Sequence, residues 1–140
     1  MSWAYLDFKP SKDAIARAVS LAVAIPFEEI EVRDVFDNQN LDKTKLLVTQ
    51  GRRIHKGRRC DGPFAHRVTA GAKYRECKPD GEYMSASEFG PKLAIALGAP
   101  VIFVDESDES DSARLPLCLA FPDGAVRQIE FKDEEVVFVD

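Results

Sequence analysis

The sequence has 140 residues, of which 24 are Asp or Glu and 19 are Lys or Arg, so the formal net charge is −5. This length is typical of one domain, and a hydrophobic content of 45% is enough for a core, which excludes a chain that is disordered throughout. No apolar run approaches the roughly 18–20 residues that span a bilayer, and the N-terminus lacks the regions of a signal peptide. We therefore expect a cytoplasmic protein with no membrane partner.

The charges are segregated along the chain. Residues 51–78 hold nine basic and two acidic side chains, whereas residues 79–140 hold four basic and fourteen acidic ones. The middle segment thus has a net charge of +7 and the C-terminal part a net charge of −10, which favours a partner of opposite charge at one of these two poles. The three cysteines are too few and odd in number for a disulfide framework, as expected in the cytoplasm.

The N-terminal part predicts one helix. Ser11 is a suitable N-cap, apolar residues recur behind it at helical spacing, and Pro26 disfavours helical conformation at the residue before it. These features predict a helix over 12–24. Three aromatic side chains precede it, and we expect them to cover an edge of the core, although exposed aromatics would also suit a partner; they are Trp3, Tyr5 and Phe8.

Two strands and a long basic segment follow. Residues 29–33 alternate polar and apolar side chains, as in a half-buried strand, and residues 46–49 form a second, more apolar strand. Residues 51–78 contain several glycines and few apolar side chains, so we predict a long loop or a flexible hairpin there. Within that segment only residues 68–69 and Tyr74 fit a short strand.

The C-terminal part begins with a second helix, predicted over 88–98. Ser85 and Glu88 have the spacing of a capping box, but Pro91 is tolerated only in the first turn, so Ser87 or Glu88 is the expected effective N-cap. Residues 101–104 are apolar without alternation, which is typical of a central strand that is covered on both faces.

Three further strands complete the predicted fold. Residues 115–121 and 125–131 flank a Pro-Asp-Gly turn, which predicts a hairpin, and residues 136–139 form a last apolar strand that we expect to pair or pack. The sequence therefore predicts an α+β fold in which two helices pack on a mostly antiparallel sheet of five or six strands. We expect residues 1–140 to form a single domain.

Several features together support a resemblance to a known group of proteins. They are the aromatic opening from Trp3 to Phe8, the helix ending Ala24-Ile25-Pro26, the helix ending Leu97-Gly98-Ala99-Pro100 before an apolar strand, and the hairpin turn at 121–124. With its acidic composition and without a catalytic motif, the chain resembles immunity proteins of bacterial contact-dependent and polymorphic toxin systems. This resemblance implies a non-catalytic, protein-binding domain that neutralises a cognate toxin by stoichiometric binding.

The acidic loop that starts at residue 105 is the corresponding candidate for partner binding. Its carboxylates repel one another and favour a solvated loop, and they would complement a cationic toxin surface and raise the association rate. The EF-hand pattern of ligands is missing, so we do not expect a calcium site. The candidate residues are Asp105, Glu106, Asp108, Glu109 and Asp111.

The basic segment gives an alternative hypothesis, a nucleic-acid-binding module that uses residues 52–78. Guanidinium groups donate paired hydrogen bonds to phosphate, and nearby aromatic residues such as Phe64 and Tyr74 could stack on single-stranded bases. A small RNA-acting enzyme, with His55 and His66 as acid and base, is a further alternative. The candidate anion-binding residues are Arg52, Arg53, Lys56, Arg58, Arg59 and Arg67.

Two histidines and two cysteines also fall within 23 residues of this segment, as His55, Cys60, His66 and Cys77. Zinc favours such ligands, but their spacing includes no Cys-x-x-Cys pair and does not match a known zinc pattern. We therefore predict neither a metal nor another cofactor, and the sequence leaves open whether these four residues bind a metal. Because no nucleophile elbow, P-loop or Gly-x-Gly-x-x-Gly motif is present, we expect a binding function more than catalysis.

Overall fold

The computed structural model describes residues 2–34, 45–55, 57–70, 86–105 and 116–139. All structural statements below concern these ranges. They contain two α-helices, one 3₁₀ turn and ten strands, eight of which form the main sheet. Neither of the two helices has the length and apolar character that a membrane span requires.

The elements have the following bounds. The helices are α1 (Lys12–Val23) and α2 (Ala86–Leu97), and the 3₁₀ turn covers Phe27–Glu29. The strands are β1 (Ser2–Leu6), β2 (Ile30–Asp34), β3 (Leu46–Arg52), β4 (Ile54–His55), β5 (Arg58–Arg59), β6 (His66–Ala70), β7 (Val101–Val104), β8 (Leu117–Ala120), β9 (Val126–Lys132) and β10 (Glu135–Phe138).

The main sheet has the strand order β10-β9-β8-β7-β1-β6-β3-β2, and β4 and β5 form a separate hairpin. β2 and β3 are parallel, whereas every other neighbouring pair is antiparallel. The predicted α+β class is therefore confirmed, but five or six strands are too few. The two additional strands are β1 and β6, which pair with each other near the middle of the sheet. Of β6, only residues 68–69 fit a short strand from the sequence.

Helix α1 follows the prediction closely. The Ser11 hydroxyl accepts a hydrogen bond from the Ala14 amide at 3.1 Å and so caps the first turn. At the other end Ala24 adopts a left-handed conformation with φ 58°, and its amide donates to the Ser20 carbonyl. The helix buries an apolar face of Ile15, Ala18, Val19 and Ala22 toward the sheet and α2.

Helix α2 begins at Ala86, so the N-cap that we predicted at Ser87 or Glu88 is wrong, because both residues lie inside the helix. Pro91 consequently lies in the helix interior, where it lacks the amide hydrogen for the usual backbone bond. One position in this helix requires glycine because of a close approach to β7. A Cβ atom at Gly90 would overlap the side chain of Phe103.

Residues 51–70 contain more strand than we predicted, because much of this segment is extended and includes both a hairpin and a strand over 66–70. β3 continues through Gly51 and Arg52, the short strands β4 and β5 form a hairpin, and β6 pairs with both β1 and β3. Val68 and Ala70 of β6 are buried on the helix side of the sheet, which explains why this charged segment is held in place. Residues 71–78, including Tyr74, lie outside the described residues.

The sheet buries apolar side chains on both of its faces. The larger cluster lies between the sheet and the two helices and includes Leu6, Val19, Val48, Leu93 and Val101. On the opposite face Phe64 covers a smaller cluster with Ile102, Leu119 and Ile129. β7 is thus buried on both faces, as predicted, and the predicted hairpin of β8 and β9 and the pairing of the last strand are also confirmed.

Candidate functional site

Cationic side chains from three parts of the chain line a cavity at one end of β3 and β6. The cavity has a volume of about 410 Å³ and also includes Gln50, His66 and one carboxylate, that of Asp34. A second cavity of about 180 Å³ shares Gly51 and three of the cations and adds Thr49 and Thr69. The cationic residues of the larger cavity are Lys9, Arg52, Arg59 and Arg67. We call the larger and the smaller cavity together the arginine cavity.

Strand pairing brings these residues together. In the register of β3 and β6, Gly51 lies opposite Arg67 and Arg52 lies opposite His66. Because Gly51 has no side chain, the surface next to Arg67 remains open. The hairpin of β4 and β5 then returns the chain so that Arg59 reaches both cavities.

Two ion pairs at the arginine cavity are solvent-exposed. The Lys9 Nζ lies 3.6 Å from the Asp34 Oδ1, and the Arg52 Nη2 lies 2.7 Å from the Oδ1 of Asp61, whose side chain is 84% exposed. Exposed pairs of this kind contribute little free energy, because water and salt screen them. Four cations against one lining carboxylate therefore leave the cavity attractive to anions.

Two buried polar atoms of the cavity residues have no hydrogen-bond partner. Within the described ranges, the buried side-chain atoms in this state are the Arg67 Nε, a donor, and the Gln50 Oε1, an acceptor. An unsatisfied buried polar group typically costs about 1–3 kcal/mol. The two atoms lie on opposite faces of the sheet, and a hydrogen-bond acceptor beside the Arg67 Nε would recover this free energy on its face.

The surroundings of His66 favour its neutral form. Burial lowers the pKa of the imidazole below its usual range, and the positive charges of Arg52 and Lys9 lower it further, while Asp7 acts in the opposite direction. An anion bound beside His66 would stabilise the protonated imidazole and raise this pKa.

Aromatic side chains lie on the sheet face next to Arg67. The ring centroids of Trp3 and Tyr5 are 4.8 Å apart with an interplanar angle of 47°, and the Arg67 guanidinium lies 5.5 Å from the Trp3 centroid. Pairing of β1 with β6 places Tyr5 opposite Arg67 and Trp3 opposite Thr69. Burial raises the pKa of the Tyr5 phenol, so this face presents neutral aromatic rings beside a cation.

Arg53 lies apart from the arginine cavity and has a structural position. Its side chain is only 5% exposed, and the guanidinium lies 4.1 Å from the ring centroid of Phe131 and 5.8 Å from that of Tyr5. The Arg53 Nε also donates to the Phe64 carbonyl at 3.3 Å. Phe64 itself has φ 55°, and its amide donates to the Asp7 carboxylate at 2.9 Å. Arg53 thus joins the 60–65 segment to the sheet.

Of the other predicted anion-binding residues, some line the arginine cavity and some do not. Arg52, Arg59 and Arg67 meet at the cavity, whereas Arg58 is exposed on β5 and lines neither part of it. Lys56 lies outside the described residues.

The metal prediction is tested only in part of the chain. Cys60 is 2% exposed in the structure, whereas Cys77 and the side chain of His55 are not described. In the described part of the chain, no group of three or more His, Cys, Asp or Glu residues could hold a metal ion.

The acidic loop is described only at its start. Asp105 follows β7 directly, and its amide donates to the Pro116 carbonyl at 2.9 Å. The other four candidate residues lie outside the described residues; they are Glu106, Asp108, Glu109 and Asp111.

Sequence reasoning did not assign Lys9, Gln50 or the two threonines to the site. The sequence did contain one indication. Every second residue of β3 is buried, Leu46 and Val48 among them, and Gln50 is a polar residue at the next buried position, where an apolar one is expected. Lys9 had no such signal, because the pairing of β1 with β6 is what brings it near the arginines.

Comparisons of the chain with protein-family models, with curated proteins and with solved structures found no match. The chemistry of the arginine cavity therefore has to indicate the function.

Proposed function

We propose that the protein binds single-stranded nucleic acid and holds its phosphate groups in the arginine cavity. The observation that supports this function best is the convergence of Lys9, Arg52, Arg59 and Arg67 on a cavity with one carboxylate. Guanidinium groups donate paired, charge-assisted hydrogen bonds to phosphate oxygens. The buried Arg67 Nε is a donor without a partner, and a phosphate oxygen would supply the acceptor that it needs.

The neighbouring sheet face favours a single strand as the ligand. Trp3 and Tyr5 are on strand β1, beside Arg67 of the neighbouring strand β6. Aromatic rings next to a cationic groove stack with unpaired bases of any sequence. Thr49 and Thr69 line the smaller cavity, and threonine hydroxyl groups can form hydrogen bonds to the nucleic-acid backbone or to base edges. In a duplex the bases are already stacked and would not be available to these rings.

The test is a fluorescence-anisotropy titration of the protein with a short, labelled oligouridine at low salt. Arg59→Met and Arg58→Met form a matched pair, because the two arginines are neighbours on β5 and only Arg59 lines the cavity. We expect Arg59→Met to weaken binding about tenfold, since it removes a charge-assisted hydrogen bond, and Arg58→Met to leave the affinity nearly unchanged.

Two results would count against this proposal. If the wild-type protein does not bind the oligonucleotide at low salt, the proposed function is wrong. If both variants weaken binding equally, the net positive charge of the segment and not the cavity is responsible for oligonucleotide binding.

The immunity-protein hypothesis remains a second proposal, favoured by the net charge of −10 over residues 79–140. Here the carboxylates after β7 would contact a cationic surface of a cognate toxin, and charge complementarity would make the association rate depend on salt. Charge reversal at Asp108 and Glu109 should slow association with that toxin. An unchanged rate would contradict the hypothesis.

A further inference from the structure

Arg52 is a cation of the arginine cavity that already contacts a carboxylate of its own chain. Its side chain is 32% exposed and lines both the larger and the smaller cavity, so a ligand can reach the guanidinium. The Arg52 Nη2 donates to the Asp61 Oδ1 at 2.7 Å, which is the distance of a charge-assisted hydrogen bond. A phosphate oxygen would accept the same kind of hydrogen bond from this guanidinium.

The backbone on both sides of Asp61 is attached to the end of β3. The Cys60 amide donates to the Arg53 carbonyl at 2.9 Å, and the Arg53 amide donates to the Ala65 carbonyl at 2.7 Å. These hydrogen bonds hold the turn beside Arg52 independently of the ion pair. The Asp61 side chain is 84% exposed, so its carboxylate can leave Arg52 by rotating into water.

The Arg52–Asp61 ion pair adds little to the stability of the fold, because water and salt screen a pair whose carboxylate is so exposed. Its effect on ligand binding is different. A phosphate that binds Arg52 displaces the carboxylate, and the displaced negative charge remains close enough to repel the phosphate. The position of Asp61 therefore opposes the binding of anions at Arg52.

We propose that Asp61 is an internal competitor of the ligand, whose carboxylate occupies Arg52 in place of a phosphate and weakens nucleic-acid binding by the arginine cavity. This inference rests on the proposed nucleic-acid-binding function. The contact is autoinhibitory and reversible, because the turn keeps the carboxylate next to Arg52 while the phosphate is bound. The carboxylate returns to the guanidinium when the phosphate leaves.

The first test compares Asp61→Asn with the wild-type protein in the titration with labelled oligouridine. The amide keeps the size of the side chain and removes its charge. We expect about threefold tighter binding, which lies in the range of an exposed ion pair. Glu130→Gln is the matched control, because it makes the same change in net charge at an exposed position on β9, five strands from β3 in the sheet. Its affinity should stay close to the wild-type value.

The outcomes of this comparison separate the inference from the function on which it rests. If Asp61→Asn and Glu130→Gln have the same affinity, the inference is overturned, and the proposed function stands as long as the wild-type protein binds. If neither the wild-type protein nor either variant binds the oligonucleotide, the proposed function itself is rejected.

The second test asks whether Asp61 acts through Arg52. Asp61→Asn is introduced into an Arg52→Met background, where the carboxylate has no guanidinium to occupy, and most of the gain in affinity should disappear. A gain of the same size in both backgrounds would overturn the proposed competition and leave only general repulsion. Thermal unfolding is recorded for each variant. If Arg52→Met does not fold, the comparison of Asp61→Asn with Glu130→Gln decides.

Discussion

Replacement of Arg53 by Met should destabilise the fold, because this arginine connects the 60–65 segment to the sheet face opposite the helices. The substitution keeps a long, apolar side chain of similar shape. It removes a guanidinium that stacks on Phe131 at 4.1 Å and donates to the Phe64 carbonyl. The structure therefore predicts an effect on stability that a surface arginine would not show.

The magnitude follows from the burial of these contacts. A desolvated cation–π contact contributes about 2 kcal/mol, and a hydrogen bond from a charged donor contributes about 1.5 kcal/mol when it is as long as 3.3 Å. Relief of the desolvation cost of the buried charge offsets part of this loss, so we expect a net destabilisation of about 2–3 kcal/mol. For a domain of this size, that corresponds to a fall in Tm of about 10 °C.

Arg127→Met provides the matched control for the thermal or denaturant unfolding assay. The Arg127 guanidinium lies 3.9 Å from the Phe138 ring centroid, a similar geometry, but Arg127 is exposed to solvent. An exposed contact of this kind is worth about 0.5–1 kcal/mol, so its Tm should fall by no more than about 4 °C. If both variants lower the Tm by the same amount, burial of Arg53 has no energetic role and the reasoning is refuted.

Three further predictions concern a close contact, a helix end and a titratable group. Gly90→Ala should destabilise the protein by about 1–3 kcal/mol in chemical unfolding, because the added Cβ overlaps Phe103; an unchanged midpoint would contradict the packing of α2 on β7. Ala24→Gly should stabilise it by about 0.5–1 kcal/mol, since φ 58° favours glycine; a loss of stability would show that this helix end is wrong. RNA affinity should rise as pH falls below the usual histidine pKa of 6.5, because the lowered pKa of His66 leaves the free imidazole neutral and a bound phosphate favours its protonation. His66→Gln should abolish this rise, and a pH profile that the substitution leaves unchanged would exclude His66 from the site.

Local patterns in the sequence predict the helices and most strands, because the cause of each lies within a few residues. The cap at Ser11 and the apolar repeat define α1, and the Pro-Asp-Gly turn defines the hairpin of β8 and β9. β6 was not recognisable as a central strand, because charged residues occupy its start. Its central place depends on pairing with β3 on one side and, on the other, with β1, which is distant in sequence.

In the candidate site, too, what depends on local sequence could be predicted and what depends on tertiary contacts could not. Composition identified the basic segment, and Arg52, Arg59 and Arg67 do meet in space. It could not separate Arg52 from Arg53, although these neighbours have different environments, one in the cavity and one beneath Phe131. Lys9 joins the cavity through tertiary structure alone, so no sequence spacing could predict it.

The salt dependence of RNA binding tests the central claim most directly. Each phosphate that a cation neutralises on a single strand contributes about −0.7 to the slope of log affinity against log salt concentration. The arginine cavity predicts that Arg59→Met reduces the steepness of this slope by about 0.7, whereas Arg58→Met leaves it at the wild-type value. Identical slopes for the two variants would contradict the claim that phosphate binds in the cavity.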